Sequence, residues 1–212
     1  KQAVADAAQR KNTEIENNVD LTTEERAVER QKVTDAQNSA NAAIDQAKTS
    51  QALATAQNNG TGTINALTQT PVVKPAARAA IEAAANNKVQ QINKSQSLTN
   101  EERTDQIAAI RQKEAAAKQA VAAQTSTQDV TSTQNAQVQA INDTPVLAFK
   151  KPAALAAIEA AEATKRQQIQ DSQMLPEEKT AALRDLDSKV QAAKDALKTA
   201  QSNQDVQNVE NN

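Results

Sequence analysis

An alanine-rich phrase occurs twice in this chain, 77 residues apart: KPAARAAIEAAANNK begins at Lys74 and KPAALAAIEAAEATK begins at Lys151. Self-similarity at a fixed period indicates a repeat architecture, in which one supersecondary unit is copied along the chain and buries its apolar face against its neighbours. The period therefore predicts a succession of similar small folds rather than one large hydrophobic core.

Other residues keep the same period. Ile81 in one copy matches Ile158 in the next, and Val4 stands one period earlier. A leucine before an acidic stretch recurs in each copy, at Leu21, Leu98 and Leu175. The third copy loses one residue after this leucine, so that its later positions match at 76. We predict a first repeat without its opening residues, a complete second and a third truncated in its last helix. Their predicted bounds are 1–73, 74–150 and 151–212.

Each copy predicts three helices, because apolar residues recur at helical spacing in three successive segments. In the complete copy the first segment covers about 75–94, the second follows residue 99, and the third covers about 128–142. The second segment carries a clear apolar stripe, which consists of Ile107, Ile110, Ala117 and Val121. The residues that match the last three in the other copies are Val33, Ala40, Ile44, Leu186, Ala193 and Leu197. Much of the remaining apolar content is alanine, the best helix former, so we expect helices with thin cores.

The helix starts carry capping signals. Thr99 with Glu102, and Thr22 with Glu25, predict capping boxes at the second helix of two copies. In the third copy Pro176 takes the first turn instead, where its missing N–H costs nothing. The third helix of each copy is predicted to start after a good cap residue. These residues are Ser50, Thr127 and Asn203.

Three amphipathic helices joined by short loops pack as antiparallel neighbours. An odd number of such helices brings the chain in at one end of a bundle and out at the other, so copies in series add length. The predicted fold class is therefore all-α, with tandem three-helix bundles of about 77 residues that form an elongated rod.

The junctions between copies, TQTPVVKP and DTPVLAFKKP, predict a break between helices. Lys74 and Lys151 each precede a proline, which biases them away from the helical region. We predict an ordered elbow, because the segments offer apolar side chains to bury. These are Val72, Val73, Val146, Leu147 and Phe149.

The composition argues against catalysis. The chain has no His, Cys, Tyr or Trp, which removes the commonest acid–base and nucleophilic groups. Its acidic pairs each stand in a first helical turn, where negative charge meets the helix dipole. They are Glu24 with Glu25, Glu101 with Glu102, and Glu177 with Glu178. Asp185 and Asp187 form a weak metal-like pattern, but residues two apart do not share a helix face. We predict no enzyme activity and no catalytic, cofactor-binding or metal-binding residue.

Other ligands leave few signals. A net charge of −2 creates no strong field that would steer nucleic acid or an anionic membrane toward the chain. Lys11, Lys88 and Lys165 recur at one position of the first helix. Two interpretations stay open: the stems pack while the ammonium groups reach water, or the three lysines form a repeated binding stripe.

The phrase KPAARAAIEAAANNKVQQINKSQSLTNEER, followed by AIRQKEAAAKQAV and VQAINDTPV, resembles the repeat known as domain of unknown function 1542. That family occurs in long tandem arrays in large wall-anchored surface proteins of Gram-positive bacteria, including giant matrix-binding adhesins and factors for cell aggregation and biofilm. The resemblance covers essentially the whole chain. It implies an extracellular, cell-wall-anchored protein whose signal and anchor lie outside this segment.

Two functions fit these observations. In the first, the repeats are a structural spacer or stalk that projects a separate functional domain from the cell wall. In the second, the repeats themselves bind host extracellular matrix or like repeats on another cell. Interface hot spots favour Trp, Tyr and Arg, and the first two are missing here. The sequence therefore favours the spacer, with neighbouring repeats of the same chain as the expected partners.

Overall fold

A computed structural model of the chain describes residues 1–211. All regular secondary structure in this range is helical, and the described residues form nine helices with no strand. The helices are α1 (Gln2–Asn17), α2 (Thr23–Gln46), α3 (Ser50–Asn65), α4 (Val73–Lys94), α5 (Asn100–Ala123), α6 (Thr127–Asn142), α7 (Lys150–Asp171), α8 (Pro176–Thr199) and α9 (Asn203–Asn211). The predicted all-α class with three helices in each repeat is confirmed.

The residues divide into two compact units. The first unit holds 1–84 and 114–140, and the second unit holds 85–113 and 141–212. In the first unit α1, α2 and α3 contact one another pairwise, and in the second unit α7, α8 and α9 do the same. Each set of three is therefore a small helical bundle. Helices α4, α5 and α6 repeat the same order, with a 24-residue middle helix as in α2 and α8.

The bundle of the first unit has a thin core built from the predicted stripes. Apart from one leucine, its members are alanine or β-branched residues: Val4, Ala7, Ala8, Ile15, Leu21, Val33, Ala40, Ile44 and Ile64. Alanine at the helix contacts lets the backbones approach closely, so a few large side chains suffice to close the interior. The stripe predicted for the second helix of this copy, Val33, Ala40 and Ile44, is confirmed as buried.

The bundle of the second unit is covered less completely. Its buried cluster contains Ala154, Leu197, Ala200 and Val206, whereas Ile158 is only partly buried. The described part of α9 has nine residues, against 16 in α3. A shorter third helix covers less of α7, which explains why this stretch of the repeat buries fewer large side chains.

The predicted match of Leu175 to the earlier leucines is wrong in register. Leu175 is the N-cap of α8 and is 66% exposed, whereas Leu21 and Leu98 are buried ahead of a threonine cap. The missing residue therefore lies before Leu175, in a shortened loop after α7, rather than after it. Leu175 takes the place of the capping threonine, and no buried leucine precedes it.

The capping boxes of Thr22 with Glu25 and of Thr99 with Glu102 are confirmed, as is Pro176 in the first turn of α8. The predicted caps of the third helices are each one residue late. Ser50, Thr127 and Asn203 are the first helical residues. The preceding Thr49, Ser126 and Ser202 accept the capping N–H bonds.

Two glycines in α3 have opposite surroundings. A Cβ on Gly60 would lie 2.5 Å from the Cβ of Ala40, whereas a Cβ on Gly62 would meet nothing within 4 Å. Gly60 therefore permits the close approach of α3 to α2, and its cost in helix propensity accompanies a packing role. Gly62 carries the propensity cost without that role.

We predict that Gly60→Ala lowers the free energy of unfolding by about 1–3 kcal/mol, because the added methyl overpacks the contact with Ala40. Gly62→Ala is its matched control and should raise stability by about 0.4–1 kcal/mol through the unfolded state. Denaturant unfolding of both variants checks the pair. Equal effects of the two substitutions would contradict this account of α3.

We predict that Ile110→Ala lowers the free energy of unfolding by about 2–5 kcal/mol, since the side chain is 1% exposed and its removal leaves a cavity. Ile107→Ala, on the same helix but only partly buried, should cost clearly less. Thermal or denaturant unfolding measures both. An unchanged melting curve for Ile110→Ala would show that the core of α5 is assigned wrongly.

Candidate functional site at the repeat junctions

The first junction lies within the first unit, where α4 begins. Lys74 is the second residue of α4 and is 3% exposed. Its ammonium group donates to the carbonyl of Val19, just after α1, at 2.8 Å and to the carbonyl of Ala122, in the last turn of α5, at 2.9 Å. One buried side chain therefore joins the start of α4 to the loop after α1 and to the last turn of α5.

The second junction lies within the second unit and repeats this arrangement. Lys151, the second residue of α7, is 9% exposed. Its ammonium donates to the carbonyl of Gln96, just after α4, at 2.9 Å and to the carbonyl of Lys198, in the last turn of α8, at 3.2 Å. These acceptors match those of the first junction at the repeat period. The lysine contact is therefore a property of the repeat.

The last carbonyls of a helix have no intrahelical partner and carry the negative end of the helix dipole. An ammonium group, with its three donors, is suited to satisfy two such ends at once. Burial lowers the pKa of Lys74, and the nearby Arg26 lowers it further. Burial and then Arg103 lower the pKa of Lys151 in the same way. The carbonyl bonds therefore offset the cost of taking these charges out of water.

Glu25 serves two helix starts at the first junction. Its Oε2 accepts the N–H of Thr22 at 2.9 Å, which completes the capping box of α2. Its Oε1 accepts the N–H groups of Val72 at 2.8 Å and Val73 at 3.0 Å, where α4 begins. Burial by itself would raise the pKa of Glu25, but the backbone donors outweigh it and hold the pKa below the ordinary value.

Glu102 does the same at the second junction. It accepts the N–H of Thr99 at 3.0 Å for the cap of α5, and the N–H groups of Phe149 at 2.8 Å and Lys150 at 2.9 Å at the start of α7. Burial by itself would raise the pKa of Glu102, but the hydrogen bonds from backbone N–H groups outweigh it, so that this pKa lies below its ordinary value. Both carboxylates satisfy donors from two repeats.

The start of one further helix also bonds to each junction: α6 in the first unit and α9 in the second. In the first unit the N–H of Thr127, where α6 begins, donates to Glu24 at 2.9 Å, and this bond holds the pKa of Glu24 below its ordinary value. The hydroxyl groups of Thr22 and Thr127 lie 3.0 Å apart and share a hydrogen bond. The N–H of Thr23 donates to the carbonyl of Thr125 at 2.8 Å.

The same three contacts recur in the second unit. The N–H of Asn203, where α9 begins, donates to Glu101 at 3.0 Å. The hydroxyl of Thr99 donates to the Asn203 side chain at 2.8 Å, and the N–H of Asn100 donates to the carbonyl of Gln201 at 2.7 Å. Thr127 and Asn203, two of the three residues that we predicted as caps of the third helices, therefore bond to the preceding repeat, while their neighbours do the capping.

One ion pair of the first junction has no counterpart in the second. In the first, Arg78 forms an ion pair with Asp20 at 2.8 Å. Leu155 and Ser97 take those places in the second. An open groove of about 570 Å³ lies there beside Leu155 and the buried Leu197. Exposed ion pairs contribute little stability, so the shared contacts above define the junction.

Three of the five apolar residues expected to anchor the elbows do not do so, whereas Val73 and Val146 are partly buried. Phe149 is 64% exposed, and Val72 and Leu147 also face solvent. The elbows are ordered through their backbone instead: the side chain of Gln106, for example, bonds both the N–H and the carbonyl of Leu147. The predicted helix break is confirmed, but the helix starts before the proline. Lys74 and Lys151 are therefore helical, because the proline restriction is only a bias.

The remaining candidates do not converge on a site. Asp185 pairs with Lys189 at 3.0 Å and Asp187 pairs with Arg166. In the third copy Glu178 accepts the N–H of Leu175 at 2.9 Å. No group of three or more acidic residues comes together to hold a metal ion within residues 1–211.

The recurrent lysines have three different environments. Lys11 is buried and pairs with Glu14 on its own helix at 2.7 Å. Lys88 is also buried, and its ammonium donates to the carbonyl of Asn142 at 2.6 Å. Lys165 is exposed. The three lysines therefore do not form a repeated binding stripe. The ammonium group of Lys88 bonds to a carbonyl instead of reaching water.

The family model for the Domain of Unknown Function (DUF1542) matches the chain three times in tandem, at residues 1–72, 73–148 and 150–212. The chain belongs to the DUF1542 family. The suspected resemblance is thereby confirmed. Comparison with curated proteins and with solved structures gives no match. Among the described residues, no helix of these DUF1542 repeats is long and apolar enough to cross a membrane.

We predict that Glu25→Gln lowers the free energy of unfolding by about 1–3 kcal/mol, because it weakens charge-assisted bonds to backbone donors of two repeats. Glu177→Gln is the matched control: it changes the equivalent first turn of α8 at an exposed position and should stay within about 0.5 kcal/mol. Denaturant unfolding compares them. A loss for Glu177→Gln as large as that for Glu25→Gln would contradict the junction role.

The acid dependence of stability follows from the same carboxylates. The folded-state pKa values of Glu24, Glu25 and Glu102 lie below the ordinary value of 4.5. Their contribution is therefore fully present above about pH 4.5 and is lost as the pH falls through the lower folded-state values. Unfolding measured between pH 7 and pH 2 should show this loss in the wild type and a smaller one in Glu25→Gln.

Proposed function

We propose that these DUF1542 repeats are a structural spacer in a bacterial surface protein, with no active site of their own. The observation that carries this proposal is the junction, where the same three helix ends are held by the same residue positions in both units. The hydrogen bonds that the copies share include those that join one repeat to the next. Such repeats are suited to extend a chain by adding units that each contact their neighbours.

The side chains available on the surface support the same proposal. The three repeats contain no Trp or Tyr, and such residues dominate the energetics of protein interfaces. The acidic pairs are engaged at helix starts in two of the three copies, where they serve the junctions. We therefore propose neighbouring repeats as the partners of each repeat. Nucleic acid, membrane and cofactors have no role in this proposal.

The proposed location is extracellular, on a protein anchored to the cell wall. It rests on the family and on tandem copies that are consistent with the repeat region of a surface protein. A cysteine-free chain agrees with a surface protein that uses no disulfides. Adhesion itself would then belong to another domain, which these repeats would carry away from the wall.

The proposal is tested by copy number. Chains with two, three and four repeats, made by deleting or duplicating residues 74–150, should gain roughly 30 Å in maximum dimension with each repeat, as small-angle scattering measures. None of these chains should bind fibronectin or associate with itself at micromolar concentration. Binding that appears and strengthens with copy number, as linked sites would cause, would favour matrix binding or self-association over a spacer.

A further inference from the structure

We infer that Lys74 and Lys151 are positioning residues that lock the direction in which each new repeat starts, so that the junction is a latch rather than a hinge. The inference goes beyond the spacer proposal and does not depend on it, because a latched junction would serve a binding array equally well. It rests on the meeting of three segments at one buried ammonium group, twice in the chain: the start of one helix, the loop after a second and the last turn of a third.

Lys74 joins carbonyl groups from two segments, whereas the Thr23 N–H and the Arg26 side chain each bond to one such segment. The glutamate and threonine bonds join helix starts to one another, whereas Lys74 reaches the opposite, carbonyl ends. Val19 belongs to the loop after α1, and Ala122 belongs to α5. Two carbonyl oxygens that point at one place repel each other unless a cation lies between them. The ammonium group therefore holds together segments that would otherwise separate.

A methionine at this position separates the charge from the packing. Met has an unbranched stem that fills a similar volume, but it cannot donate to either carbonyl. Val19 and Ala122 are exposed residues, so water can solvate each carbonyl separately once the ammonium group is lost, and no shared donor then holds the two segments to α4. Lys74→Met should therefore free the start of α4 from α1 and α5 while the helices themselves persist.

The experiment measures a distance inside the first unit. The chain has no cysteine, so Ser39→Cys and Ala83→Cys, both at exposed positions on α2 and α4, can carry spin labels on the full chain. Pulsed electron–electron resonance should give a single narrow distance peak in the otherwise wild-type chain. Lys74→Met should broaden the distribution and add longer distances. An unchanged narrow peak would overturn the inference.

The matched control is Lys11→Met in the same labelled chain. Lys11 is also buried in the first unit, but it pairs with Glu14 of its own helix and joins no two segments. It should leave the peak narrow. Equal broadening in Lys11→Met would show that loss of any buried lysine loosens the unit, and would overturn the role of the junction.

The second junction gives an independent measurement, with labels at Ala108→Cys and Ala160→Cys in the second unit and Lys151→Met as the test. If Lys74→Met loses its helical circular dichroism, its distance distribution reports unfolding, and the test then depends on Lys151→Met. Broadening there with helicity retained supports the latch. A narrow peak in Lys151→Met, or loss of helicity in both lysine variants, would overturn it.

Discussion

Every helix leaves unsatisfied donors at its start and unsatisfied acceptors at its end, and this chain meets much of that requirement between repeats. Glu25 satisfies donors at the starts of two helices, and Lys74 satisfies a carbonyl in the last turn of α5 and another in the loop after α1. The core of each bundle is thin because alanine provides much of it. The helix ends therefore supply a specific and directional connection that a thin core could not provide by packing alone.

Because charged residues with defined partners are used at the helix ends of the junctions, few of them are left for another kind of site. The charged residues with the most defined surroundings are those at the junctions, and their pKa shifts have structural causes: backbone donors for the glutamates and burial for the lysines. Perturbed titratable groups often mark active sites, but here those at the junctions bond to backbone groups near helix ends, and Lys118 and Arg166 owe their raised pKa values to carboxylates that pair with them. Such a pattern is what a connecting element requires, and it supports the proposed spacer.

Much of the fold could be predicted from the period and from local rules. The three helices per repeat, the capping boxes of Thr22 and Thr99 and the buried stripe around Ile110 all follow from spacing and propensity. The register at Leu175 could not be predicted, because two alignments of a one-residue deletion read equally well and only loop length separates them. The junction lysines were also missed. Their recurrence before proline was visible, but a buried lysine is uncommon, and its carbonyl partners lie far away in sequence.

The central claim is that carboxylates in the first turn of α2 satisfy backbone donors where α4 and α6 begin, and that those in the first turn of α5 do the same for α7 and α9. Amide hydrogen exchange of the full chain tests it most directly, at the N–H groups of Val72, Val73, Thr127 and Asn203. No carbonyl of their own helices is available to these groups, so a flexible connection would leave them unprotected. We predict protection well above that of an exposed loop, and its loss at Val72 and Val73 in Glu25→Gln. Exchange at these amides as fast as in an unstructured peptide would contradict the account.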